Sequence, residues 1–161
     1  MKKLDVLANL AIIAASIVFV ASVARSHWLP GRPAGVKPGA KLALAGESGA
    51  RESRRLVLVL QTGCHFCTES APFYRRLTAA ARGKDVHLVA ALPQAVADSR
   101  RYLADLEIPI EDVRQIYPGS LGVDGTPTLI AVDQRGVVKA VWRGQLPPEG
   151  EAAVLASLQG S

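Results

Sequence analysis

Leu56-Val57-Leu58-Val59-Leu60 is a run of five apolar residues that passes directly into Gln61-Thr62-Gly63 and then into the chain's two cysteines, Cys64 and Cys67. Five residues are too few for a helix of their own, and turn-forming residues close the run, so it reads as a strand. Neither alternate set of side chains is polar, so both faces of that strand must be covered. A sheet with material on each side is required. A chain of 161 residues has room for one such domain and a short extension.

The pattern downstream alternates. The stretch Cys64 to Arg82 reads as one helix with Phe73, Tyr74, Leu77, Ala80 and Ala81 inward, and Gly83 stops it. A strand is expected at Val86–Leu92, then a helix from about Ala95 to Leu106 with Val96, Leu103 and Leu106 inward. Glu107–Val123 is the least regular stretch and suggests a strand near Val113–Ile116 and a turn at Pro118-Gly119. Thr128–Val132 and Val137–Trp142, joined by Asp133-Gln134-Arg135-Gly136, form a hairpin, and a last helix covers Pro148–Leu158. Strands alternating with helices and closing on a hairpin and a helix predict an α/β domain with a central mixed sheet.

The amino-terminal part differs in kind. Val6 to Ala24 is nineteen residues without a charge, which as a helix reaches roughly 28 Å, the thickness of a bilayer's hydrocarbon. The run is apolar all round, unlike a one-sided core helix. Lys2, Lys3 and the small residues of Ser22-Val23-Ala24 also suit a cleaved signal peptide. The apolar run exceeds a usual signal core, and Trp28 comes next at interface depth, so an uncleaved anchor over residues 1–24 is expected. Residues 25–39 read as a basic Pro/Gly-rich stalk, and 40–161 as the domain, with a first edge strand at Lys41–Ala45.

The formal net charge of +5 raises nucleic acid as a partner. Residues 1–55 hold nine Lys/Arg against three Asp/Glu, whereas 56–161 hold ten against eleven. The globular part is nearly neutral and has no basic cluster interleaved with aromatics, so nucleic-acid binding is excluded.

The cysteine pair stands where a buried strand hands over to a helix. Unpaired backbone N–H groups and the positive end of the dipole favour a thiolate at Cys64. Cys67, three residues on, falls on the same helical face, about 5–6 Å away, within disulfide reach. An activated thiolate and a resolving thiol are what disulfide exchange needs. The spacing also suits a structural staple, or soft ligands for copper. Zinc would need four ligands, and His27 in the stalk is the only histidine besides His65 and His87.

Three marks in order, Cys64-His65-Phe66-Cys67, Pro72 in the helix after them, and Gly125-Thr126-Pro127-Thr128 before the hairpin, resemble the thioredoxin-like superfamily, in particular its membrane-anchored or exported redoxin branch. The resemblance covers about residues 40–158 and implies a thiol–disulfide oxidoreductase with Cys64 and Cys67 as its redox-active pair and no other cofactor. It implies that Thr126-Pro127 is cis, faces the disulfide and forms the wall against which a substrate strand pairs. His65, Phe66 and Pro72 become the residues that modulate the pair. There are departures. Gly63 stands where the family usually has Trp, Leu58 where many members keep a buried acid, and His65 adjoins the first cysteine, not the second.

The peroxidase branch of this fold places Thr three residues before its reactive cysteine, where this chain has Gln61. The expected function is therefore exchange with disulfides and thiols of exported proteins on the outer side of a bacterial cytoplasmic membrane. Residues 6–24 would hold the domain to membrane lipid, and an electron donor in the membrane would be its redox partner. The direction expected is reductive, because the tether resembles that of exported reductases and the helix dipole disfavours a cationic His65 that would over-stabilise the thiolate.

Overall fold

A computed structural model describes residues 13–16, 18, 35–42, 44 and 53–159. The chain divides into two compact units, Met1–Pro33 and Ala34–Ser161. In the first, residues 13–16 and 18 are helical, and the rest of the expected anchor and most of the stalk lie outside the described residues. Among the described residues no helix is long and apolar enough to cross a membrane.

The second unit is built from β1 (Arg54–Val59), α1 (His65–Glu69), α2 (Ala71–Ala81), β2 (Val86–Leu92), α3 (Val96–Asp105), β3 (Asp112–Gln115), a 3₁₀ turn (Pro118–Leu121), β4 (Thr128–Val132), β5 (Val138–Arg143) and α4 (Pro148–Ser157). The strands form one mixed sheet in the order β3-β2-β1-β4-β5, with β1, β2 and β3 parallel and β4 and β5 antiparallel. β1 lies in the middle, and its alternation divides the interior in two. Leu56, Leu58 and Leu60 enter one core with Phe73, Tyr74 and Leu77 of α2, Leu103 of α3 and Val154 of α4. Val57 and Val59 enter the other, beneath Val36, Leu42, Leu44, Leu121 and Val123. Helices thus cover one face, and the amino-terminal segment and the 3₁₀ region cover the other.

Several expectations are corrected. The single helix Cys64–Arg82 is two helices that meet at Ser70. In an unbroken helix residue 72 would donate to the carbonyl of Thr68, but Pro72 has no N–H and its ring would clash there. As the second residue of a new helix the missing donor costs nothing. Ser70 closes α1 instead, with its N–H (3.1 Å) and its Oγ (2.7 Å) both donating to the Phe66 carbonyl. The inner stripe of α2 runs through Thr78 and Ala81, so Ala80 is exposed. Val96 is exposed as well: the stripe of α3 is Ser99 and Leu103, and Val96 overhangs the sheet's end as the first helical residue.

The edge strand expected at Lys41–Ala45 is a single bridge from Lys41 to Val137, flanked by Leu42 N–H donating to Gly136 and Val138 N–H to Ala40; Ala43 and Ala45 lie outside the described residues. β5 begins one residue later than expected, at a register shift opposite Ala131 and Val132. β3 is one residue earlier than expected, with Ile116 extending the pairing through its N–H to Leu92 O at 2.8 Å.

β3 is an edge strand, anchored by more than its ladder. Arg114 donates to both carboxylate oxygens of Asp112, each at 2.8 Å, and His87 Nε2 of β2 lies 2.8 Å from Asp112 Oδ2. Arg114 first, then His87, hold the Asp112 carboxyl below its ordinary value against the opposing effect of burial. A carboxyl with a lowered folded-state pKa contributes stability above its unfolded value, about pH 3.9, and loses it as pH falls through the folded value. Asp112→Asn is therefore expected to lower stability at neutral pH and to flatten the acid end of the stability profile. Urea unfolding across that range checks it, and parallel profiles for the two proteins would refute it.

Candidate active site: a dithiol at the first helical turn

β1 delivers the chain into the turn Gln61-Thr62-Gly63, closed by the Cys64 N–H donating to Gln61 O at 3.2 Å. Gly63 has φ +79, a left-handed conformation that L side chains rarely adopt. That accounts for one departure from the family pattern, since a Trp in this turn would carry backbone strain.

Cys64 is the N-cap of α1. Its backbone is extended (φ −77, ψ 113), its carbonyl accepts from Cys67 N at 3.1 Å and Thr68 N at 3.2 Å, and its Sγ accepts from Cys67 N–H at 3.2 Å. A sulfur that caps a helix in this way faces an amide donor as well as the dipole, both of which favour a negative charge. Cys64 and Cys67 form a disulfide with Cα atoms 5.2 Å apart. The two sulfurs are unequal: Cys64 is half-buried, while Cys67 is fully buried in the core beneath α1.

The Thr126–Pro127 peptide bond is cis, and the Thr126 carbonyl oxygen stands 3.5 Å from Cys64 Sγ. The loop carrying it is pinned on both sides. Thr128 Oγ1 donates to Gly125 O at 2.8 Å, and Gly144 N–H donates to Pro127 O at 2.8 Å. Pro127 is buried and Thr126 half-buried, and of this turn it is the Thr126 carbonyl that faces the sulfur.

His65 and Phe66 lie on the outer side of α1. His65 is exposed, with Nε2 3.1 Å from Glu69 Oε1 one turn along, and Phe66 is 53% exposed. Pro72, exposed on α2, is not grouped with the sulfurs and bears on the site through the helix break it imposes. Leu58, at the position of the absent acid, is fully buried in the same core as Cys67. Burial pushes the phenol of Tyr74 in that core well above its ordinary value, so Tyr74 stays protonated and does not replace that acid. Among the described residues no group of three or more His, Cys, Asp or Glu could hold a metal ion.

The structure adds residues to which the sequence offered no signal. Thr68 Oγ1 donates to the Cys64 carbonyl at 3.4 Å and shares a 3.3 Å hydrogen bond with the Tyr102 hydroxyl, which ties α1 to α3. Gln94 Oε1 accepts from Thr62 N–H at 3.5 Å across the neighbouring loop. Both links join segments about thirty residues apart, beyond any local pattern.

No family model matches the chain, and no curated protein matches it. Solved structures do. A putative thiol:disulfide interchange protein DsbE from Chlorobium tepidum superposes with a TM-score of 0.60 at 23% identity, covering 78% of this chain and 100% of that one. A thiol-disulfide isomerase from Corynebacterium glutamicum gives 0.57 at 16% identity, covering 80% and 98%. StoA from Bacillus subtilis gives 0.52 at 12% identity, covering 65% and 81%. The chain therefore has the thioredoxin-like fold, with its cysteine pair at the junction of β1 and α1.

Proposed function

We propose that this chain is a thiol–disulfide oxidoreductase whose Cys64 attacks and whose Cys67 resolves. The observation that carries the reading is the inequality of the sulfurs: one accessible, capping a helix and facing the Thr126 turn, the other buried directly behind it. In the reductive direction the Cys64 thiolate attacks a partner disulfide. A bond forms between Cys64 and one partner sulfur, and the other partner sulfur leaves as a thiolate that takes a proton from water. Cys67 then loses its proton to water, attacks Cys64, and closes the internal disulfide as the second partner sulfur departs. Two electrons pass to the partner, and the dithiol becomes the disulfide. Thr126 offers its backbone to an extended partner segment, and buried Pro127 holds that turn against the sulfur.

The full chain in detergent, supplied with dithiothreitol, is expected to reduce insulin. Cys64→Ser abolishes turnover, and Cys67→Ser leaves a trapped mixed disulfide on Cys64. Trapping through Cys67 in a Cys64→Ser protein would reverse the roles.

The direction we assign is reduction of disulfides in exported proteins, fed by an electron donor in the membrane. His65 supports it. Its ring nitrogen Nε2 lies 3.1 Å from the Glu69 carboxylate, which would offset a positive charge on the ring. A thiolate held too well makes an oxidant, and this arrangement withholds one such contribution. Equilibration with glutathione is expected to give a potential of about −200 mV or below, and a value near about −120 mV refutes the reductive direction.

Residues 6–24 have the length and composition of a membrane anchor, and exported disulfides are the substrates that give such a tether a use. We place the domain on the outer side of a bacterial cytoplasmic membrane. A reporter that matures only outside the cytoplasm, fused after Ser161, is expected to be active, and activity confined to a cytoplasmic reporter overturns the placement.

A further inference from the structure

The large apolar side chains exposed in the second unit, among the described residues, are Phe66, Val96 and Tyr117. Each comes after the carboxyl end of one of the three parallel strands: Phe66 after β1, Val96 after β2, Tyr117 after β3. They therefore stand on one rim of the sheet, the rim that carries Cys64. The segments bearing them are tied to one another. Thr62 N–H reaches Gln94 Oε1 at 3.5 Å, Gln115 Nε2 donates to Pro93 O at 3.2 Å, and Ile116 N–H donates to Leu92 O at 2.8 Å. The rim holds few charges: residues 60–68, 93–97 and 115–127 contain no Lys, Arg or Glu and a single Asp, Asp124, and at its margin Glu69 pairs with His65 and Asp98 with Arg101. Beyond the Thr126 turn, at the last residue of β5, the chain presents Arg143, which donates to the Val36 carbonyl, and no large apolar side chain there is exposed.

We infer that the polypeptide whose sulfur meets Cys64 lies across this rim, from the Thr126 turn over the ends of β1, β2 and β3 to Tyr117, and that its residues beside the cysteine are apolar and uncharged. The inference rests on the exchange reading above and specifies its partner. An exposed aromatic beside the reacting sulfur, and two more apolar side chains in line with it on hydrogen-bonded loops, offer burial at little cost in ordering. Exposed Gln61 and Gln115 supply amides to the partner's backbone between these contacts. An acidic flank would lose water on a rim where Asp124 and the marginal carboxylates of Glu69 and Asp98 oppose it.

The test compares three disulfides with the reduced full chain in detergent: a peptide dimer with leucine and phenylalanine beside its single cysteine, the same peptide with glutamates there, and oxidised glutathione. The apolar peptide is expected to react about tenfold faster than the acidic one below saturation, a ratio matching burial of part of one large side chain. Val96→Ser combined with Tyr117→Ser, both at exposed positions and away from the sulfurs, is expected to bring that ratio within about threefold, acting on KM and not on kcat. Equal rates on the two peptides, or an unchanged ratio in the double variant, overturn the inference while glutathione reduction shows that the dithiol still exchanges. Failure on all three disulfides removes the exchange reading itself, and this inference with it.

Discussion

Burial of β1 on both of its faces is the constraint on which the other features depend. A strand with leucines to one side and valines to the other cannot lie at an edge or on a surface, so it becomes the third of five strands and every layer is measured from it. Its carboxyl end is then held by the cores above and below. The turn attached to that end starts from a rigid position, and it carries Gly63 and Cys64. The cysteine pair is thereby placed just beyond the end of the strand that is buried on both faces.

The second determinant is the brevity of α1. Five residues give one cap at Cys64, one buried anchor at Cys67 and an ending at Ser70. A helix so short has little stability of its own and depends on tertiary contacts. Cys67 in the core and the Thr68–Tyr102 hydrogen bond supply them. The same brevity leaves His65 and Phe66 on the outer side, where one is paired with Glu69 and the other is bare. Buried Cys67 thus lies on the inner side of this single turn, and the exposed side chains of His65 and Phe66 lie on its outer side.

The sheet also separates its two ends. At the carboxyl ends of the parallel strands the loops hold few charges and are joined by side-chain hydrogen bonds, and here the cis turn meets the sulfur. Nearer the other end, charge is spent on structure. Arg54 donates to the last carbonyls of α4, and Asp133 accepts from two backbone N–H groups of the hairpin turn. Asp112, Arg114 and His87 brace the edge strand.

Residues whose neighbours in sequence are also their determining neighbours in space were legible from the chain alone. β1 and β2 are continuous apolar runs, β4 and β5 flank a turn whose Asp and Gly define it, and the cysteine pair lies at its own helix start. Resemblance, and not periodicity, pointed to Thr126 and Pro127. Contacts made across the fold were not legible. The apolar rhythm runs through Ser70 without a change of phase, so two helices read as one until the missing N–H of Pro72 is placed against Thr68. β3, whose Asp-Val-Arg-Gln buries a single apolar side chain, carries almost no strand signal because an edge strand is specified by its neighbour's ladder. Local composition by itself determined a two-faced central strand feeding a dithiol into a helix. Only tertiary structure decided that a carbonyl 62 residues away stands against Cys64 and that Tyr102 steadies α1. The physical reason is that backbone dihedrals and burial periodicity are encoded by adjacent residues, whereas hydrogen bonds between distant segments exist only once the sheet has set those segments side by side.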